Sequence, residues 1–516
     1  MHLKRSCQRL FGRSKNYSSC STTGFKLNPR PFQDIPGPKS LPIIGTLYKY
    51  FPYIGEHNFD KLHKNGLKKL NKYGPLVKEE IIPGVNIIWV YRPEDIAEIF
   101  KSESGKHPER HSHLALLKYR KDRSDVYNSG GLLPTNGSEW WRIRKEFQKA
   151  LSKPQNIVNY INVIDDVIRQ FVKLCGDKKY DDLLPLISRL FLELTCLVAF
   201  DVSMNSFSDA EMREDSRSSK LIDAALTSNS AILKLDNGLQ LWRYVNTPLY
   251  KKLYASQKFM EEVAIDLVNK KINDMKSKPA FENESLLEIY LKNENLDVKD
   301  VVGMACDMLL AGVDTTSYSV AFGLYHLAKN LNAQEKLQSE ASRLLPNDDP
   351  ITATTLRGAT YTKAVIKETF RMNPISVGVG RILAVDTILN NYHVPAGTVV
   401  VTQNQVTCRL PEYFNDPDSF IPERWLRLNM NKTNTEVSVH PYLVLPFGHG
   451  PRSCIARRLA EQNIQMVFLR VKKKKLKITI LQKNIYLKIR MFSVQRKLKN
   501  FDCLRSSFGD GPKIFG

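Results

Sequence analysis

Between residues 139 and 371 the sequence carries helical periodicity with little interruption, in segments such as SLLEIYLKNE and NAQEKLQSEASRLL. Strand signals are confined to short runs on either side, GVNIIWVY (84–91) before the block and RILAVDTILNNYHVPAGTVVVT (381–402) after it. A helical block of this length excludes a doubly wound sheet, in which strands and helices alternate. It predicts a mainly α fold with a small, segregated β region, built as one large domain. The Pro-rich run DIPGPKSLPIIG (34–45) cannot be helix interior, because each proline lacks an amide donor and restricts the residue before it, so the body starts there. No internal repeat is present, and no run of ~18–20 apolar residues offers a membrane span.

With 76 Lys and Arg against 53 Asp and Glu, the formal net charge is +23, which suggests an anionic partner. The excess is not spread evenly. Residues 1–33 hold seven bases and no acid, and residues 470–500 hold twelve bases and no acid, so nineteen of the 23 charges sit at the two ends. Nucleic-acid binding would need bases interleaved with aromatics on a folded module, so that class is excluded. The leader 1–33 is rich in Ser and Thr and lacks an apolar signal core, which fits a mitochondrial transit peptide better than a secretory signal, a disordered basic arm being the alternative. Eight scattered cysteines with no C-x-x-C pair predict neither a disulfide framework nor a zinc site.

Cys454 differs from the other seven. In LPFGHGPRSCIARRLAEQ, Phe447, Gly448, Gly450, Arg452 and Cys454 stand at fixed spacing just ahead of a helical pattern. Two glycines permit positive φ and let backbone amides turn inward. A thiolate at the following helix N-terminus would gain from those amides, from the dipole and from Arg452, so a lowered thiol pKa is expected. These are the requirements of an anionic axial ligand to haem iron.

At this point the sequence resembles the cytochrome P-450 (haem-thiolate monooxygenase) family, whose pattern is F-G-x-G-x-R-x-C-x-G; Ala456 replaces its last glycine. The resemblance implies the P-450 fold, haem b (iron protoporphyrin IX) as cofactor and O2 as co-substrate, with Cys454 as the iron ligand. AGVDTTSYS (311–319) resembles the family's oxygen-activation groove, in which Gly312 and the Thr hydroxyls loosen the helix and Asp314 and Thr315 relay protons. In KAVIKETFRMNP, Glu368 and Arg371 share one helical face and, with Arg424 of FIPERW, resemble the family's structural triad. For the haem propionates the resemblance points to Trp140 and Arg144 in EWWRIRKEF, to Arg381 and to Arg452.

Lys363, Lys367, Arg457 and Arg458 match positions that mitochondrial members of the family use to dock an acidic iron–sulfur ferredoxin, which works with its reductase. Leader, basic face and missing anchor together imply a mitochondrial protein in peripheral contact with the matrix side of the inner membrane. IPGPKSLPIIGTLYKYFP, RSDVYNSGGLLPTNGSEWWRIRKEFQKALSKP and LWRYVNTPLYKKLY are similar to the insect ecdysteroid C22-hydroxylases, which implies a steroid substrate, an ecdysteroid intermediate. The loop 107–130, the helix around Ala311 and residues 375–379 are the candidate substrate lining. Another steroid or xenobiotic hydroxylase is the alternative. The haem domain is expected over 34–470. Beyond it, 471–516 is a basic, Ile-rich tail unlike the family's C-terminal strands: either divergent or not native coding sequence, in which case the product binds haem with impaired catalysis.

Overall fold

The computed structural model describes residues 28–473, apart from 52, 54, 104–106, 177–179, 181, 278–283 and 427–438. The expected leader before residue 28, and the tail after residue 473, lie outside the described residues.

The chain opens with α1 (Leu62–Tyr73), the antiparallel pair β1 (Leu76–Ile82) and β2 (Val85–Val90), and α2 (Pro93–Lys101). The helical body follows: α3 (Leu114–Lys121), α4 (Gly137–Ser152), α5 (Pro154–Val158), α6 (Ile161–Cys175), α7 (Leu184–Phe200), α8 (Asp209–Met212), α9 (Arg217–Asn237), α10 (Pro248–Ser277), α11 (Leu286–Leu291), α12 (Val298–Lys329), α13 (Leu331–Leu344), α14 (Ala353–Gly358) and α15 (Thr360–Met372). Four short strands, β3 (Gly380–Ile382), β4 (Thr387–Leu389), β5 (Tyr392–Val394) and β6 (Val399–Thr402), precede α16 (Asn404–Thr407) and α17 (Arg457–Lys473). The strand order β1-β2-β6-β3 holds a parallel pairing of Ile87–Val90 with Val399–Thr402. Strands from before and after the helices (β1 and β2 with β3 and β6) therefore share one sheet, which supports a single large fold, while β4 and β5 form a separate antiparallel pair.

Local chemistry sets several helix starts. At α11, Ser285 and Glu288 form a reciprocal capping box, and Asp297 with Asp300 does the same at α12. α12 is the central pillar, packed by α7, α9, α10, α15 and α17. Gly312 lets α7 approach closely, since a Cβ there would stand 2.9 Å from Thr195 Oγ1. The largest apolar core surrounds α12, while a smaller one joins β2, α2 and the later strands. Cys175, Cys196, Cys306 and Cys408 are free and buried, and burial pushes their thiols up. The fold is anchored as far as Arg470, whose guanidinium binds Asp165 of α6 (2.5 Å) and Asp348 (2.8 Å). No described helix is long and apolar enough to cross a membrane.

Candidate functional site

In the cysteine loop, Gly448 and Gly450 take φ values of +71° and +70°, a backbone that other residues rarely adopt. The loop folds back on itself: the Cys454 amide donates to the Phe447 carbonyl (2.8 Å) and that of Ser453 to Gly450 (3.0 Å). Cys454 thereby stands three residues ahead of α17, with Phe447 edge-on to Phe370 of α15 at 5.4 Å. The expected lowering of the thiol is not what the environment gives. The Cys454 side chain is accessible, yet surrounding protein desolvates it and pushes the thiol up, outweighing the Ala456 amide and Arg144, which act the other way.

Beside the loop stands a group of arginines. Arg144 and Arg452 converge on Trp140, with guanidinium carbons 5.8 and 4.4 Å from its ring centroid, and all three side chains are buried. Arg144 donates to the Ser453 carbonyl (2.8 Å), and Arg452 to the carbonyls of Pro108 (3.1 Å) and Thr135 and to Asn136. Arg110, which the sequence reading does not single out, joins them and donates to the Leu133 carbonyl (3.0 Å). Arg381 of β3 is the fourth member; its Nη2 reaches the His449 carbonyl (2.9 Å), and it is ion-paired to Glu103. Among the described residues, no carboxylate forms an ion pair with Arg110, Arg144 or Arg452.

Burial pulls Arg110 and Arg144 down to about 10 and Arg452 to about 9; the other arginines add to the effect at Arg110 and Arg452. The guanidiniums stay charged at neutral pH, so these shifts express an appetite for anions. His113, half-buried beside the same group, is driven down to about 3 by desolvation and by Arg110, Arg120 and Arg452. A cysteine sulfur beside three cations without carboxylate ion pairs, Arg144 and Arg452 buried and Arg110 half-buried, is the donor set that haem, with one iron and two propionates, fits.

The triad differs in kind. Glu368 accepts from Arg371 (2.8 and 2.9 Å), Arg424 (3.1 Å), the Ile421 amide (2.9 Å) and Trp425 Nε1 (2.9 Å). Arg371 spends its remaining donors on the carbonyls of Cys408, Pro417 and Ser419. The network is closed, which assigns it to holding the segment around 408–425 against α15.

α12 runs unbroken through the groove motif, so the loosening expected at Gly312 is not seen as a gap in the helix. Thr315 Oγ1 donates to the Ala311 carbonyl one turn back (2.7 Å). Asp314 Oδ2 accepts from Asn229 of α9 (3.2 Å), Oδ1 is buried without a hydrogen-bond partner, and burial raises the carboxyl to about 6.

Lys363 and Lys367 lie on α15, and Arg457 and Arg458 at the start of α17, which packs against it. Lys363 donates to the Arg357 carbonyl (3.0 Å), Lys367 lies 5.8 Å from the Trp425 ring centroid, Arg457 pairs with Glu461 (3.1 Å) and Arg458 bonds the Ser152 carbonyl. The candidate lining is more structured than a loop: 107–130 contains α3, with Arg120 buried against Asp307 of α12 (2.7 Å), and residues 375–379 are pinned to β6 through the Val379 carbonyl (3.1 Å).

Residues 35–473 match the sequence profile of the family described as Cytochrome P450. The chain is 49% identical over 447 residues to cytochrome P450 302a1, mitochondrial, of Drosophila melanogaster, spanning 86% of this chain and 88% of that protein. From the same fly, probable cytochrome P450 301a1, mitochondrial, is 30% identical over 457 residues (86% and 82%), and ecdysone 20-monooxygenase 27% over 460 (86% and 84%).

Proposed function

Because the chain belongs to the cytochrome P450 family, we propose that it is a mitochondrial steroid hydroxylase acting at side-chain carbon 22 of an ecdysteroid precursor in moulting-hormone synthesis. Membership makes it a haem-thiolate monooxygenase. Haem supplies the redox iron that activates O2 for insertion of one oxygen atom into a C–H bond, the other leaving as water. The observation that carries the site assignment is the cysteine loop beside the three arginines without carboxylate partners.

In this reading Cys454 Sγ holds the iron, while Arg110, Arg144 and Arg452, with Trp140 between the last two, receive the propionates. Phe447 packs the loop onto α15, and the triad keeps the supporting segment rigid. Asp314, with a carboxyl near 6, can hold or release a proton at neutral pH, and the Thr315 hydroxyl stands one residue along α12 to pass it on. Lys363, Lys367, Arg457 and Arg458 form the face for an acidic iron–sulfur ferredoxin, which with its reductase supplies two electrons. Between α9 and α10, Leu239, Leu241, Tyr244 and Val245 are exposed beside Arg243, which supports peripheral contact with an anionic membrane on the matrix side. Import through residues 1–33 and a haem domain over 34–470 complete the proposal.

The steroid class is supported by the fly relatives, one of which carries ecdysone in its name. Turnover of the full chain with ferredoxin and reductase on a panel of ecdysteroid intermediates tests it. A product one oxygen heavier, hydroxylated at carbon 22, is expected. Hydroxylation elsewhere would replace the position, and no steroid turnover would replace the substrate class.

A further inference from the structure

Among the described residues, Glu103 is the one carboxylate ion-paired to the arginine group, and the family motifs give it no role. It follows α2 and lies 278 residues from Arg381 in sequence. Its Oε1 accepts from Arg381 Nε, and Arg381 Nη2 donates to the His449 carbonyl (2.9 Å), between the two glycines of the cysteine loop. Glu103 Oε2 is buried with no hydrogen-bond partner. A Cβ at Gly450 would stand 3.0 Å from that oxygen, so the carboxylate lies against the loop where glycine makes room. Phe100 closes the arrangement, its ring 5.3 Å from the Arg381 guanidinium and 5.0 Å from the His449 ring.

A buried carboxylate with one oxygen unsatisfied is costly, and it persists where its charge is needed. Of the four guanidiniums, only that of Arg381 is ion-paired to a carboxylate. Replacing the charged Glu103 carboxylate by a neutral group leaves the arginine group one charge more positive. Ferrous haem-thiolate carries one more negative charge than ferric, so added positive charge nearby favours reduction.

We infer that Glu103 is a positioning residue that fixes Arg381 to the cysteine loop and, by setting the net charge of the arginine group, restrains the reduction potential of the haem iron. This rests on Cys454 as the iron ligand and on the arginines as propionate partners.

The test is a spectroelectrochemical titration of the haem-loaded full chain. Glu103→Gln raises the ferrous-to-ferric ratio at a fixed potential about tenfold, which is about 59 mV for one electron, while keeping the thiolate-type band of the reduced, carbon monoxide-bound protein. Arg381→Gln shifts the potential the opposite way, Glu103→Asp leaves it near the parent value, and the double variant Glu103→Gln, Arg381→Gln returns to it. A Glu103→Gln protein with the band intact and an unmoved potential overturns the inference. Should that variant fail to hold haem, the double variant decides: haem held at the parental potential supports the inference, and haem lost or shifted overturns it. Loss of the band in the parent protein would instead defeat the Cys454 assignment.

Discussion

Two groups of buried arginines stand within one chain, and they are finished differently. Around Glu368, each carboxylate oxygen and most guanidinium donors find partners inside the protein, so the charges are complete without any ligand. Around Trp140, Arg110, Arg144 and Arg452 meet carbonyls but no carboxylate among the described residues, and burial drags their pKa values down. Buried charge closed by its own protein is scaffold, whereas buried charge left open marks where an anion belongs.

This contrast can be broken by mutation. Arg371→Ala removes the bidentate partner of the fully buried Glu368, leaving it the single contact from Arg424 and two neutral donors, and should cost about 3–5 kcal/mol, a large share of a domain's stability. Chemical denaturation should show it, with little soluble holoprotein recovered. Arg452→Ala should do the reverse: the apoprotein unfolds near the parental denaturant midpoint, while haem affinity falls roughly 10–100-fold, since a charge-assisted hydrogen bond contributes about 1.5–3 kcal/mol. If both variants lost stability equally, the distinction would collapse.

Asp314 sharpens the same rule, because one of its oxygens has a partner and the other has none. Its raised value, about 6, means that the proton is bound increasingly as pH falls through that point. Coupled turnover should therefore change between pH 5 and 7, and Asp314→Asn should remove that limb and slow turnover about 100-fold, the lower end for a positioned acid. The folded chain takes up this proton before the unfolded one, so this group favours the fold more as pH drops from about 6 towards its ordinary value. The smallest effect belongs to an exposed charge. Lys367→Glu should raise the ferredoxin KM about fivefold at low salt and leave little difference at high salt, since a solvated pair is worth about 1 kcal/mol and is screened.

The sequence is a good guide where a role depends on neighbours in the chain. Glu368 and Arg371 lie three apart on α15, Trp140 and Arg144 four apart on α4, and the cysteine loop is contiguous; all are legible as spacing. The strand runs at 84–91 and 381–402 contain β2 and β4 to β6 and most of β3, though nothing local says that β2 pairs with β6 in parallel. α1, α2 and α3 lie ahead of the periodic block and escape the helical reading; α2 and α3, of nine and eight residues, are shorter than the window over which helical periodicity shows. Arg110 and Glu103 are illegible for a stronger reason: their partners lie on distant segments, and only the folded chain brings Arg110 to the Trp140 group or Glu103 to Arg381. At Cys454 the helix dipole and amides are legible locally and point to a lowered thiol, whereas desolvation, which raises it, comes only with the fold.

The most direct test of the open arginine group is to titrate apoprotein with haem and with its dimethyl ester, in which both propionates are neutral. The parent chain should bind free-acid haem tighter by on the order of 100-fold or more, about 1.5–3 kcal/mol for each charge-assisted contact, and Arg452→Ala should shrink that preference. Equal affinity for the two would mean that these arginines do not receive the propionates, and the distinction between the closed and the open cluster would fail.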